Sequence, residues 1–312
     1  MESLARAFLD GLSPARRHRA LGGFAARRDW HYVPRPRPGL ALRDMDGRQR
    51  HAAWALIDAG LGEAGRAKAR GVLALERILG ELEGRPAHRD PDDYALAIFG
   101  EPRADASWAW RFEGHHLSLT MTSVPGAGVA VTPSFFGANP AVVPDHHHAH
   151  GHELLRVERE LAFSLVESFD ETALERCRIA VDAPRDILTG PGHERRLQQV
   201  EGVPFAALAD GQRALGWQLI QAFLRHLPAE RRRAHEAQIT EAGLDRLHFA
   251  WAGATRLGAP HYFRLHGPVT VIEYDNVQNG ANHVHSVWHD PADTFGDDRL
   301  ARHHRDGHRG GG

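Results

Sequence analysis

Apolar and polar positions along this chain follow first a helical and then a strand-like period, and the sequence of periods occurs twice. Over 153–169, Leu154, Leu161, Leu165 and Phe169 share one side against Arg156, Glu158, Arg159 and Glu160, the pattern of an amphipathic helix. A second helix is predicted over 210–227. Asp210 is its N-cap candidate, Leu215, Leu219, Ile220, Phe223 and Leu227 form its apolar side, and Pro228 stops it. The period then falls to two. Trp108, Trp110 and Phe112 alternate with small or polar residues, and Leu117, Leu119 and Met121 alternate with His116, Ser118, Thr120 and Thr122. Further on, Val269, Val271, Glu273 and Asp275 alternate with Thr270, Ile272 and Tyr274. Asn279-Gly280 then signals a two-residue hairpin leading into His283 to His289.

The recurrence keeps register. Gly39 to Leu42 and Gln49 to Ile57 match Gly202 to Phe205 and Gln212 to Ile220 at an offset of 163, with Trp54 meeting Trp217. Upstream, Leu12, Arg28 and Asp29 meet Phe169, Arg185 and Asp186 at 157; downstream, Gly100, Arg111 and Gly114 meet Gly253, Arg264 and Gly267 at 153. Ordered blocks with small changes of offset are what one duplication followed by loop insertions and deletions leaves. The expected fold is therefore α+β and internally duplicated. Each half is a set of helices followed by an antiparallel β-meander, the halves being related by a pseudo-two-fold axis. The expected boundaries are 1–150 for the N-terminal repeat and 151–312 for the C-terminal repeat with its His- and acid-rich hairpin. Segment 138–152 reads as the connection and 303–312 as a frayed tail. Trp54 and Trp217 are expected in equivalent buried positions, and Arg111 and Arg264 are expected to pair with carboxylates.

Composition narrows the chemistry. With 312 residues, 42% hydrophobic and 25% charged, the chain can build a real core. A net charge of −2 offers no general attraction to nucleic acid or to an anionic membrane. The run Arg231-Arg232-Arg233 follows a helix end and reads as a solvated cluster. Neither a signal peptide nor a stretch of about 20 apolar residues is visible, so the expected location is cytoplasmic. Cys177 is the only cysteine, which excludes an internal disulfide and a cysteine-rich metal site. Lys68 is the only lysine, and no phosphate-binding Gly-Lys-Ser/Thr loop is present. Nucleophile-elbow, zincin and dinucleotide-binding signatures are absent as well.

Duplication supplies a filter, since residues shared by both halves serve the common scaffold and polar residues present in one half are better candidates for chemistry. Three one-sided groups pass it. His115 and His116 stand against Pro268 and Val269, Glu273 and Asp275 against Thr120 and Thr122, and His283 and His285 against Ala130 and Thr132. Imidazoles at i and i+2 of a strand share a face, so His283 and His285 are candidate ligands of one metal ion, with His116 and a carboxylate completing an N/O site. Zinc, iron, manganese and copper all suit such a set. Glu273 and Asp275 are the candidate catalytic carboxylates; His115, Asn276, Asn279, Asn282 and Trp288 are candidate ligand-binding residues. A His-x-His pair is a short pattern in a chain with 23 histidines, and the run His146-His147-His148 with His150 and His152 reads as loop variation. Register decides between arrangements. A two-residue Asn279-Gly280 turn sets His285 opposite Tyr274, away from the carboxylates; one extra residue sets it opposite Asp275.

Three segments carry a family resemblance: Trp110-Arg111-Phe112-Glu113-Gly114-His115-His116-Leu117-Ser118-Leu119, Thr132-Pro133-Ser134-Phe135-Phe136-Gly137-Ala138-Asn139-Pro140, and Ile272 to Asn276 through His283 to Trp288. Together they resemble an uncharacterised bacterial and fungal family, domain of unknown function family 3500, over nearly the whole chain. The resemblance implies no particular activity. Two functions are compatible with the residues: a metal-dependent hydrolase or oxidoreductase acting on a small polar substrate, or a non-catalytic module that binds a small ligand with the same amides, histidines and tryptophans.

Overall fold

A computed structural model describes residues 1–309 as an α+β protein. It has two compact units: one comprises Met1–Leu61, Asp90–Phe135 and the chain from Ala292 onward, the other Gly62–Arg89 and Phe136–Pro291.

In the first unit, helices Glu2–Asp10, Pro14–Ala20 and Gly47–Gly60 precede an antiparallel meander of strands Ala95–Phe99, Trp108–Gly114 and Leu117–Val124. The helix Gly47–Gly60 starts where Asp46 accepts the amides of Arg48 and Gln49 while the Gln49 side chain accepts the Asp46 amide, a reciprocal cap. Strand alternation turns Trp110, Phe112, Leu119 and Met121 to one face, where Trp54 meets Phe112 at 5.4 Å. Arg111, Glu113, Ser118 and Thr120 occupy the other. There the Arg111 Nε lies 3.0 Å from a Glu113 oxygen that also accepts the His31 amide at 2.8 Å. The expected tail is helical as far as Arg309, within Asp297–Arg309; residues 310–312 lie outside the described residues.

In the second unit, helices Glu63–Leu82, Arg156–Glu167, Glu171–Cys177, Asp210–Leu224 and Ala229–Ala242 accompany a meander of strands His248–Gly253, His261–Gly267, Thr270–Asn276 and Val284–His289. Trp251, Phe263 and Tyr274 stack along one face, with Phe163 from helix Arg156–Glu167 set edge-on to Trp251 at 5.1 Å. This aromatic face is the core. Pro228 caps the following helix, Ala229–Ala242, and the preceding one already ends at Leu224. Asp210 is the first helical residue, and the cap is Ala209, whose amide donates to Gln212. Trp54 and Trp217 are both half-buried rather than buried, because each sits at the flank of its helix while Leu56 and Ile57, or Leu219 and Ile220, take the inner positions. No described helix is long and apolar enough to cross a membrane.

The hairpin after Tyr274 resolves the register. Asp275 stands opposite His285 and Asn276 opposite Val284, so the Asn279-Gly280 pair is not a two-residue loop. Residues 277–283 form the connection, with a helical turn at Gln278–Ala281 and left-handed backbone at Asn279, Gly280 and Ala281. Asparagine and glycine tolerate that conformation, and the longer turn sets the histidines and carboxylates on one face.

Candidate functional site

Opposed residues of an antiparallel pair share a face, so Tyr262, Asp275 and His285 form one row and Arg264, Glu273 and Val287 the next. This face carries a polar layer beneath segment 185–190. Glu273 accepts the amides of Leu188 and Thr189, each at 2.8 Å, together with the Thr189 hydroxyl and the Tyr262 hydroxyl at 2.6 Å. Burial, then the charge of Glu273, raises the Tyr262 phenol well above its ordinary range, so it stays a donor. His289 donates from Nε2 to the Thr189 carbonyl at 2.9 Å. Glu273 and His289 thereby pin segment 186–189 onto the sheet.

That pinning positions Asp186. Its Oδ1 accepts the Ile187 amide at 2.7 Å and lies 2.7 Å from His285 Nδ1. A carboxylate only accepts, so the ring proton of His285 sits on Nδ1 and the lone pair on Nε2. That Nε2 faces His283 Nε2 at 3.1 Å, with the rings nearly perpendicular at 85°. Two imidazole nitrogens about 2.0–2.1 Å from a tetrahedral ion are themselves about 3.3 Å apart, so the spacing is close to that of two ligands of one metal. A carboxylate on the far ring nitrogen, as Asp186 is on His285, commonly holds a metal-binding imidazole in its tautomer and orientation.

Asp275, directly opposite His285, is 1% exposed, and neither carboxylate oxygen makes a hydrogen bond. Burial, then the like charges of Asp186 and Glu273, pushes its pKa up to about 8. A nearby cation would reverse that cost.

Other candidates take different places. Asn276 Oδ1 accepts the His283 amide at 3.0 Å and orders the turn. Asn282 uses both ends of its amide on the Val142 backbone, at 2.7 and 3.1 Å, and Asn279 donates to Asn139 at 3.2 Å. These amides hold loops together. Trp288 lies on the opposite, core face, donating to Thr270 at 3.0 Å with His235 edge-on at 5.1 Å. It packs there instead of meeting a ligand beside His285. His115 and His116 belong to the first unit and form a tight turn, not strand. Their rings stack at 3.8 Å, and His116, at φ 63°, donates its amide to Tyr32.

The loop histidines form a second cluster in the second unit, where ligand atoms of Glu81, His147 and His148 lie within 4.8 Å of one another. Here the tautomer is the opposite one. His147 Nδ1 accepts the Ala149 amide at 3.1 Å, so its proton sits on Nε2 and is donated to Glu81 at 2.9 Å. Coordination through that nitrogen would require removing the proton that makes the bond. Cys177 is buried, and burial pushes its thiol up to about 12, so it is no nucleophile. Lys68 is tied to Glu158 and His226 in a buried cluster between helices.

Asp186 is the functional candidate that sequence reasoning missed. Arg185-Asp186 matches Arg28-Asp29, and the duplication filter assigns matched residues to the scaffold.

The fold and site thus define an α+β protein with a buried histidine and carboxylate layer on one face of a meander. The family model described as "Protein of unknown function (DUF3500)" matches residues 1–297, and the chain belongs to that family. No curated protein and no solved structure matches the chain.

Proposed function

We propose that His283 and His285 bind a divalent metal ion and that the protein is a metal-dependent enzyme, hydrolytic or oxidative, acting on a small polar substrate. The carrying observation is the approach of two Nε2 atoms at 3.1 Å, one of them obliged to present its lone pair because Asp186 holds the opposite nitrogen. Imidazole with carboxylate suits zinc, iron, manganese or copper. Such an ion would supply a bound water of lowered pKa or a site for oxygen. Of the two nominated carboxylates, Asp275 suits the base: it is level with His285 and makes no hydrogen bond, whereas Glu273 is saturated by four donors. Metal analysis of protein purified without an affinity tag tests the reading. Wild type should retain about one ion per chain and H283A/H285A none; equal content in both would sink it. His116, also nominated by the sequence, is tested by H116A in the same assay.

A second reading rests on the same distance, because 3.1 Å is also the length of an N–H···N hydrogen bond between the rings. The face would then be a metal-free binding module for a small ligand. Metal-free wild type with ordered, mutually hydrogen-bonded imidazoles in its NMR spectrum would establish it.

We further propose that the chain arose by duplication. Supporting this, the element order recurs, and each half has a short parallel strand whose first pair corresponds: Leu21 lies beside Ile98 and Arg178 beside Trp251, pairs related by the sequence offsets of 157 and 153, before the second strand shifts register at Ala252. Crystal coordinates in which residues 8–136 and 165–289 fail to superpose strand for strand would end it.

A further inference from the structure

The first unit holds a cavity of about 340 Å³ lined by Arg19, Arg35, Arg37 and Arg43, with Asp44 and Asp93 as its acids. One wall is the segment Val33-Pro34-Arg35-Pro36-Arg37-Pro38-Gly39. Its three prolines fix φ and remove backbone donors, so the two arginines sit on a stiff support. Gly39, at φ 109°, then brings the chain so close to the sheet that a Cβ would meet the Leu96 carbonyl at 2.8 Å. The wall is therefore held against strand Ala95–Phe99.

The four guanidinium groups are not equally neutralised. Arg19 is paired with Asp44, and Arg43 with Asp93 at 2.9 Å and Asp90 at 3.2 Å. Arg37, by contrast, donates among the described residues only to neutral carbonyls, Val33 at 2.9 Å and Asp93 at 3.3 Å, and these orient the side chain without cancelling its charge. Arg35 donates to the Pro36 carbonyl at 3.2 Å and reaches Asp29 only at 3.6 Å. Among the described residues Arg37 thus meets the cavity with no carboxylate bonded to it and Arg35 with only the looser contact to Asp29, the cavity's own Asp44 and Asp93 being engaged by Arg19 and Arg43. Planar guanidinium groups recognise phosphate oxygens through paired donors.

We propose that this cavity binds a phosphate group, free or carried by a small molecule, with Arg35 and Arg37 as its principal partners. The volume lies within the range of small-ligand sites. The test is calorimetric titration of the full chain with inorganic phosphate and with glycerol phosphate, in the presence of a chelator so that no metal ion holds the anion. Wild type should bind at least one of them. Tighter glycerol phosphate would indicate an organic phosphate, and tighter inorganic phosphate the free ion. Loss of the paired donors should weaken binding about tenfold in R37Q and severalfold in R35Q. If R37Q fails to fold through loss of its anchors, R35Q keeps the test decisive, since its side chain holds little else. Failure of wild type to bind either probe, or unchanged affinity in folded R35Q and R37Q, would overturn the proposal.

Discussion

Two histidine clusters of the second unit have similar composition and opposite chemistry. At His283 and His285, a carboxylate takes the Nδ1 proton of one ring and leaves its Nε2 as an electron-pair donor facing another imidazole. At His147 and His148, a backbone amide donates to Nδ1, forces the proton onto Nε2 and sends it to Glu81. The first arrangement is prepared to bind a cation; the second is already complete as a hydrogen bond. The difference lies less in the number of histidines than in whether the neighbour of Nδ1 is an acceptor or a donor.

The largest expected effect is on metal retention. H283A/H285A should lose the ion altogether, and retention of wild-type content would break the comparison. D186N should come next. It keeps the shape but can present an amide donor to His285 Nδ1, the arrangement found at His147, so metal affinity should fall about 10–100-fold. Competition against a chelator would measure this, and unchanged affinity would show that tautomer control is not at work.

A third histidine sharpens the point on stability. His226 is 4% exposed in its side chain and accepts from Lys68, while Glu158 lies within 3.5 Å. Burial, then the charge of Lys68, lowers its pKa from 6.5 to about 4. Burial alone would raise Glu158, but Lys68 and His226 outweigh it and hold the carboxyl at about 2 against an ordinary 4.5. Both folded-state values are depressed, so the unfolded chain binds more protons and stability is lost as pH falls. The His226 step should run from about 6.5 to 4 and the Glu158 step from about 4.5 to 2. Each has a limiting slope of about 1.4 kcal/mol per pH unit. Urea midpoints across that range should show H226Q losing the upper step; parallel curves for variant and wild type would contradict the assignment. The smallest effect belongs to H147A/H148A, which should change metal affinity by less than about twofold. A larger loss would make the loop cluster a ligand set after all.

The sequence made much of this legible. Strand alternation at Trp110, Phe112 and Met121 and around Tyr274 reproduces the observed faces, because a pleated strand turns alternate residues to opposite faces whatever its surroundings. His285 and Asp275 were identifiable as polar residues placed in strands of apolar character, and His283 as the histidine two residues before His285, at the entrance to its strand. What was not legible depended on backbone conformation and on partners distant in sequence. The left-handed run Asn279 to Ala281 chose the register, and nothing in the dipeptide Asn279-Gly280 distinguishes a two-residue turn from the longer one. Trp288 looked available because aromatic residues suit ligand sites, yet its position opposite Ile272 puts it on the core face. Asp186 was hidden by the very rule that found the histidines. A residue matched between repeats, Asp29 and Asp186, can keep one place in the scaffold while its neighbours give it a new task in one copy.

Anomalous scattering from crystals of untagged protein is the decisive measurement on the His283–His285 pair, because it locates a metal as well as detecting one. A single strong peak is expected, bonded to the Nε2 atoms of His283 and His285 about 2.0–2.2 Å from each, with Asp186 still on Nδ1. A peak at Glu81 and His147 instead, or crystals grown with added zinc that leave the His283–His285 pair metal-free, would contradict it.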